Sequence, residues 1–181
     1  MPLIRSVRKR FFLAVEGESE QSFAKWLQFF ANERDLNVHL QCRVLFGGGF
    51  SSMLRNACTY RDQEKRKGKI EHAFLIVDED RATSGIDWPI ERLKREADSH
   101  DLSLYAQKPN FEGCLIRMLP GKEQAVLSAA NVKQQISSIF PNYRKPIDAR
   151  MIEQKYTIED LLRTARYDAE LMSLLSAIGL L

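Results

Sequence analysis

Acidic residues directly follow two short apolar runs in this sequence of 181 residues. Glu16 comes after the run at residues 11–15, Asp78 comes after the run at residues 73–77, and Asp80 lies two residues beyond Asp78. Carboxylates held close together repel one another, which raises their pKa values unless a cation lies among them. Magnesium prefers oxygen ligands and often takes only one or two carboxylates, with water and phosphate oxygens completing its coordination. The pattern therefore indicates metal-assisted chemistry on a phosphate ester, provided that the fold brings the carboxylates together.

The apolar runs that precede Glu16 and Asp78 are typical of strands covered on both faces, as in parallel sheets. Strands are predicted at residues 11–15, 38–46, 73–77 and 102–106. Helical patterns separate them, and this alternation favours βαβ crossovers and a mostly parallel, four-stranded sheet. The loops at the carboxyl ends of parallel strands meet in one crevice. Glu16 and Asp78 should therefore emerge at one edge of the sheet if their strands are neighbours, and Asp80 should share that direction.

The predicted helices divide the sequence into two parts. The first helix follows Ser19, its expected N-cap, and the second runs from Ser51 or Ser52 to about Lys67. The others cover residues 88–99, 111–119, 125–140, 157–165 and 169–178. Beyond Lys122 the pattern is helical throughout. We therefore expect an α/β domain in residues 1–121 and a helical C-terminal extension in residues 122–181 that packs on the same domain.

Each acidic residue also has a purely structural interpretation. An acid after a buried strand often caps the next helix or lies in a solvated loop. For Glu18, Ser19 and Glu79 we favour that interpretation. The joint pattern at Glu16 and Asp78 is more specific than either residue alone, so these two are retained as candidates for function.

The composition is that of an ordinary soluble globular protein, with 44% hydrophobic and 28% charged residues. No apolar run approaches the ~18 residues of a membrane-spanning helix, and none has the length of a signal-peptide core. We therefore expect a cytoplasmic protein with no membrane contact. The three cysteines stand far apart without a Cys-x-x-Cys pair, which argues against a zinc site and favours reduced thiols.

The positive charge of the sequence is concentrated in two clusters. The net charge of +3 permits nucleic-acid binding without arguing strongly for it. One cluster comprises Arg5, Arg8, Lys9 and Arg10, and the other comprises Arg61, Lys65, Arg66, Lys67 and Lys69. Solvated surfaces and phosphate contacts are equally good interpretations of these clusters.

Three consecutive glycines, Gly47 to Gly49, follow the second predicted strand. The segment lacks the lysine and the spacing of a P-loop, so nucleotide binding by this loop is not expected. A plain turn is favoured over a loop that lies near a substrate.

Two motifs together resemble the pattern of the Toprim superfamily. Residues 12–20, Phe-Leu-Ala-Val-Glu-Gly-Glu-Ser-Glu, and residues 74–80, Phe-Leu-Ile-Val-Asp-Glu-Asp, resemble its strand-ending Glu-Gly and its later Asp-x-Asp. Within the superfamily the sequence is most similar to small RloB-type and OLD-nuclease-type proteins, with Ser19 where threonine is usual. Residues 108–116 are similar to the family's Asn-Pro-x-Phe-Glu-x-Trp-Leu segment with Asn and Pro reordered, and residues 143–145 resemble a Tyr-x-Lys. The likeness spans about residues 10–150 and is strong only in the first two motifs.

This resemblance implies a Toprim fold, dependence on magnesium or manganese, and phosphoryl transfer or hydrolysis on DNA or RNA. Position by position, it implies that Glu16 is a metal ligand or general base and that Asp78 and Asp80 are metal ligands. Glu20 would support these ligands or bind a second metal ion, and Glu112 would be a further acidic contributor.

The resemblance also implies a catalytic role for Lys145, which would stabilise negative charge developing on the phosphate. The sequence departs from the family at two positions. Met118 stands where RloB-like chains often carry histidine, and Cys114 replaces the usual tryptophan. Whatever those side chains do in the family is absent here or is done differently.

Two functions of different classes follow. The first is a metal-dependent nuclease, and the resemblance suggests a role in bacterial defence against phage or foreign DNA beside a separate ATPase subunit, since this sequence has no ATPase motif. The second is a catalytically inactive Toprim-like module that binds a protein or nucleic acid and keeps its acidic residues for folding or for a structural ion. Nothing in the sequence sets the oligomeric state.

Overall fold

The computed structural model describes residues 7–80, 87–141 and 143–181. Four strands, β1 (Lys9–Val15), β2 (Val38–Val44), β3 (His72–Asp78) and β4 (Ser103–Gln107), form one sheet. The helices are α1 (Glu18–Glu33), α2 (Phe50–Lys65), α3 (Ile90–Ser99), α4 (Phe111–Arg117), α5 (Ala129–Ile139), α6 (Ala149–Lys155), α7 (Ile158–Ala165) and α8 (Ala169–Ile178). The α/β class and the four predicted strands are confirmed. Arg5, from the first basic cluster, lies outside the described residues.

The sheet is parallel throughout and has the strand order β2-β1-β3-β4. The chain passes from β1 to β2 on one side and then returns to β3 on the other side of β1. The strand order therefore reverses between β1 and β3, where diverging loops open a crevice at the carboxyl ends of the strands. Val15 pairs with Ile76, so Glu16 and Asp78 leave the sheet side by side. The condition that their strands be neighbours is met.

The strands are apolar because both faces of the sheet are covered. On one face, Phe11 and Leu13 pack in a buried cluster with α1, α4 and the C-terminal helices. On the other face, Phe12 and Ala14 pack against α2 and α3. Alternate residues of one strand thus belong to two separate hydrophobic layers, which accounts for the lack of polar positions in residues 11–15.

The C-terminal helices contribute to the same buried layer as one face of the sheet. Leu161 of α7 and Leu171 of α8 belong to the cluster that contains Phe74 and Tyr105. Helix α6 was not predicted, because its seven residues include only one buried side chain, Ile152, and leave no apolar periodicity to detect. Within the described ranges, no helix is long and apolar enough to cross a membrane.

The predicted N-cap Ser19 is wrong, and helix α2 begins slightly before the predicted Ser51 or Ser52, since glycines precede the first residues of both helices. Helix α1 begins after Gly17, whose backbone N–H donates to the carboxylate of Glu20 at 3.0 Å. The Ser19 hydroxyl instead accepts a hydrogen bond from the Ile147 backbone N–H at 3.2 Å. Helix α2 begins after Gly49. In the first case, Glu20 makes the reciprocal hydrogen bond of a capping box to the Gly17 N–H, while glycine has no side chain that could accept from the first turn.

Candidate functional site

A cleft of about 340 Å³ opens at the carboxyl ends of β1 and β3. Its walls include three of the predicted acidic residues, Glu16, Glu20 and Asp78, together with Lys145. The remaining lining residues are Gly17, Glu18, Ser19, Phe46, Gly47 and Pro146. Residues that are far apart in the sequence therefore meet where the strand order reverses, at the position expected for a ligand site in a parallel sheet.

Glu16 bridges the two strand ends. Its carboxylate Oε2 accepts a hydrogen bond from the backbone N–H of Asp78 at 3.1 Å. Its own backbone N–H donates to the Ile76 carbonyl at 3.1 Å, and its carbonyl accepts from the Gly47 N–H at 3.3 Å. Main-chain and side-chain contacts thus hold the Glu16 carboxylate at the base of the cleft.

The two aspartates are positioned by the start of α4. Asp78 Oδ1 accepts from the Phe111 backbone N–H at 2.8 Å, and Asp80 Oδ2 accepts from the Asn110 side-chain amide at 2.8 Å. The Asp80 backbone N–H donates to the Pro109 carbonyl at 2.8 Å. Asn110 also caps α4 by accepting from the Gly113 N–H. The weakly matching segment at residues 108–116 therefore orients the Asp-x-Asp motif.

The carboxylates of the cleft are crowded and largely removed from water. Glu16, Glu20 and Asp78 are only 5–8% exposed. Burial raises the pKa of Asp78 to about 8, and the negative charges of Glu20, Glu16 and Asp80 act in the same direction. Burial likewise raises the pKa of Glu20 to about 7, with the charge of Glu16 adding to it. The positive charge of Lys145 opposes both shifts without cancelling them, so this one cation does not compensate for the burial and crowding of the carboxylates.

Glu112 lies behind Lys145 and does not line the carboxylate cleft. The Lys145 ammonium and Glu112 Oε1 are 2.7 Å apart, and the Tyr143 hydroxyl donates to the same oxygen at 2.6 Å. Burial alone would lower the pKa of Lys145, but the ion pair with buried Glu112 outweighs it and raises that pKa. Lys145 thus remains charged and lies between the carboxylate cleft and a second cleft that Glu112 lines. Glu112 positions a cation in this structure.

Oxygen ligands for magnesium are present, although a complete metal cage is not. In residues 7–80, 87–141 and 143–181, no group of three or more Asp, Glu, His or Cys side chains has an arrangement that would hold a metal ion. Magnesium does not require such a cage, because water and phosphate oxygens can supply most of its ligands. Glu16, Asp78 and Asp80 offer the hard oxygen donors that it prefers. The metal ligands and the metal itself remain predictions.

Gln107 is a polar residue at the strand ends that the sequence reasoning missed. It pairs in register with Asp78 across β3 and β4 and is fully buried. Within the described part of the chain, neither its amide nitrogen nor its amide oxygen has a hydrogen-bond partner. Gln107 directly follows the predicted strand at residues 102–106, which is a weaker form of the signal that identified Glu16 and Asp78 because Ser103 interrupts the apolar residues.

The basic clusters lie at the opposite end of the strands from the cleft, where β1 begins and α2 ends. Arg10, Arg43 and Lys67 all contact Glu64, at 3.0, 2.7 and 2.8 Å. The Glu64 side chain is only 2% exposed, so these cations neutralise a buried carboxylate. For Arg10 and Lys67, the structure thus provides a role that neither sequence interpretation included.

Comparison with known proteins gives a sparse result. No protein-family model matches the chain, and no curated protein matches it. Two solved structures of the C-terminal region of the OLD protein from Xanthomonas campestris pv. campestris, one phased with mercury and one with platinum, are similar to it. Each has a TM-score of 0.42 and 15% sequence identity over 94% of this chain, and the match covers 94% and 92% of those chains. A TM-score at this level does not establish a common fold.

Proposed function

We propose that this protein is a metal-dependent nuclease that hydrolyses a phosphodiester bond of DNA or RNA in the cleft between β1 and β3. The observation that carries the proposal is the hydrogen bond between the Glu16 carboxylate and the Asp78 backbone, which joins two buried acids at the point where the strand order reverses. Crowded, buried carboxylates are unfavourable without a cation, and their raised pKa values express that cost. Such a cluster is readily understood as a site for a divalent ion and a phosphate.

The side chains around the cleft suit this reaction. Bound magnesium or manganese, held by Glu16, Asp78 and Asp80, would polarise a phosphoryl oxygen and acidify a water molecule. The Asp78 backbone N–H orients Glu16, and the Phe111 backbone N–H orients Asp78. Lys145, with its pKa raised, keeps a positive charge at the cleft that would attract the phosphate and stabilise its developing negative charge.

The sequence motifs extend the proposal to a biological role. Residues 12–20 and 74–80 resemble the Glu-Gly and Asp-x-Asp motifs of Toprim proteins of the RloB and OLD-nuclease types. On that resemblance, we propose that the nuclease acts in defence against phage or foreign DNA, together with a separate ATPase subunit.

A binding module without catalysis is the second candidate. It is favoured by the finding that no group of acidic, histidine or cysteine side chains in the described residues is arranged to hold a metal ion. In that case, the Glu16 carboxylate would serve mainly to join β1 to β3 through the Asp78 N–H.

A hydrolysis assay separates the two candidates. Supercoiled DNA and tRNA would be incubated with the wild type and with Asp78→Asn, in magnesium, in manganese and in EDTA. Asp98→Asn provides a matched control, because Asp98 is an exposed residue of α3 and does not line the carboxylate cleft. We expect metal-dependent hydrolysis by the wild type and by Asp98→Asn, and its loss in Asp78→Asn. Absence of hydrolysis in every wild-type reaction, or equal hydrolysis by Asp78→Asn, would contradict the nuclease proposal.

A further inference from the structure

Phe46 stands at the mouth of the carboxylate cleft with its ring in solvent. It lines the same cleft as Glu16, Asp78 and Lys145, and it is 79% exposed. An exposed phenyl ring forgoes the stabilisation that burial would provide. Of the large exposed hydrophobic residues in the described part of the chain, Phe46 alone lines this cleft. Isolated exposed apolar residues are common, so what distinguishes Phe46 is its position in the lining of the candidate site.

The backbone holds Phe46 in place at some cost. Its φ is 57°, in the left-handed region, and Gly47 and Gly48 follow with φ of 74° and 96°. Glycine adopts this conformation readily, whereas a bulky side chain is an outlier there. The Gly47 N–H donates to the Glu16 carbonyl, which ties the turn to the end of β1. Strain of this kind persists where the surrounding structure imposes it and is concentrated at functional sites.

We propose that Phe46 stacks against an unpaired base of the nucleic-acid substrate, on the nucleotide next to the scissile phosphate. This inference rests on the proposed function and specifies its substrate class: single strands, bulges and other sites where a base is unstacked. An aromatic ring stacks on every base because each base has a π-face, so the contact requires no particular sequence. A regular duplex keeps its bases paired and stacked and offers the ring no such surface.

The surroundings of Phe46 favour a base over a protein partner. A protein interface buries about 800 Å² on each partner and centres on several apolar anchors. In the described lining of the cleft, Pro146 is the one other exposed apolar side chain, and the remaining residues are acids, small residues and Lys145, so the several anchors of a protein interface are absent there. The cleft volume of about 340 Å³ is that of a site for a small group such as one nucleotide.

Binding measurements on matched oligonucleotides test the inference. A paired duplex, the same duplex with one bulged nucleotide, and the single strand would be prepared as DNA and as RNA. Fluorescence anisotropy with calcium in place of magnesium would measure affinity for the wild type, Phe46→Ala, Phe46→Trp and Phe29→Ala. Phe29 is the matched control, a 40% exposed phenylalanine on α1 that does not line the cleft.

We expect Phe46→Ala to lose about tenfold or more in affinity for the bulged and single-stranded ligands and to bind the paired duplex as the wild type does. Phe46→Trp should retain the affinity, and Phe29→Ala should match the wild type. Phe46→Gly should lose as much affinity for the bulged and single-stranded ligands as Phe46→Ala, and it should unfold at no lower temperature than the wild type, because glycine accepts the left-handed backbone. That result would show that lost affinity is not lost folding.

Equal binding of the bulged ligand by Phe46→Ala and the wild type would overturn the inference, as would an equal loss for paired and bulged ligands. A change in sedimentation of Phe46→Ala would also overturn it, by showing that the ring covers a protein interface. If the wild type hydrolyses nucleic acid through Asp78 but Phe46→Ala shows no altered preference, this inference alone fails. A wild type that neither binds nor cleaves any of the ligands removes both this inference and the proposed function.

Discussion

Glu16 accepts a hydrogen bond from the backbone N–H of Asp78, and this contact serves the fold and the candidate site at once. Glu16→Gln retains an acceptor oxygen for the Asp78 N–H, whereas Glu16→Ala leaves that buried donor without a partner. We expect Glu16→Ala to lower the free energy of unfolding by about 1–2 kcal/mol more than Glu16→Gln does, as measured by urea denaturation. Both variants should lose metal-dependent hydrolysis by roughly a hundredfold or more. Full activity in Glu16→Gln would show that the charge of Glu16 has no part in the reaction.

The acidic cleft should make the metal-free protein less stable as pH rises. In the folded protein, burial and then neighbouring charges raise the pKa of Asp78 from 3.8 to about 8 and the pKa of Glu20 from 4.5 to about 7. A carboxyl group whose pKa is higher in the folded protein binds its proton more tightly there. Its contribution to stability is therefore greatest at a pH below the pKa of the unfolded chain, and it is lost as the pH rises to the pKa of the folded protein. Between about pH 4 and pH 8, we expect the free energy of unfolding in EDTA to fall by a few kcal/mol.

Urea denaturation across this pH range provides the measurement, with Asp78→Asn as the comparison. The variant should show a shallower decline, because its amide does not titrate. Magnesium should stabilise the wild type most near pH 8, where the carboxylates are charged. A decline in Asp78→Asn as steep as the decline in the wild type would contradict the raised pKa of Asp78.

Glu64, near the end of α2, should contribute to the free energy of unfolding. Glu64→Ala leaves Arg10, Arg43 and Lys67 close together without their shared carboxylate. We expect a loss of roughly 2 kcal/mol in the free energy of unfolding, because charge-assisted hydrogen bonds to Glu64 are lost while the cations that remain are partly exposed to water. Glu71→Ala is the control: its pair with Lys69 is solvent-exposed and should be worth less than about 1 kcal/mol. Equal losses in the two variants would mean that the burial of Glu64 has no energetic consequence.

The Gln107 side chain should make the wild type less stable than a variant with an apolar side chain of similar shape at this position. Its amide is fully buried, and neither of its polar atoms has a hydrogen-bond partner in the described residues. Gln107→Met has a similar shape and no buried amide, so we expect it to increase the free energy of unfolding by about 1–2 kcal/mol. Thermal and urea denaturation provide the measurement. A destabilised Gln107→Met would indicate that the amide holds a buried water or a neighbouring group in the native protein.

The strands and the positions of Glu16 and Asp78 were predictable because they depend on local pattern. Residues 11–15 and 73–77 are apolar without interruption, since each strand is covered on both faces, and this identifies the strands. A polar residue at the end of such a run must then lie at the carboxyl end of its strand. That reasoning placed Glu16 and Asp78 at neighbouring strand ends, as the structure has them, whereas Gln107 follows a strand that Ser103 interrupts and gave a weaker signal.

Features that depend on contacts between distant segments were not predictable. The sequence contains Glu112 and Lys145 as separate residues, and only the fold brings them to 2.7 Å. Glu64 attracts Arg10 and Arg43 from two different strands, which no local charge pattern indicates. The position of Phe46 depends on the left-handed turn that Gly47 and Gly48 continue, and the glycines alone were compatible with a plain turn.

The hydrogen bond from the Ile147 N–H to Ser19 has a consequence for how the protein is made. It fastens the segment that carries Lys145 to the first turn of α1, across 128 residues of chain. A ribosome will have synthesised every strand before Lys145 emerges, and until then the acids at the end of β1 lack their cationic neighbour. The cleft is therefore completed only when this late segment docks on α1.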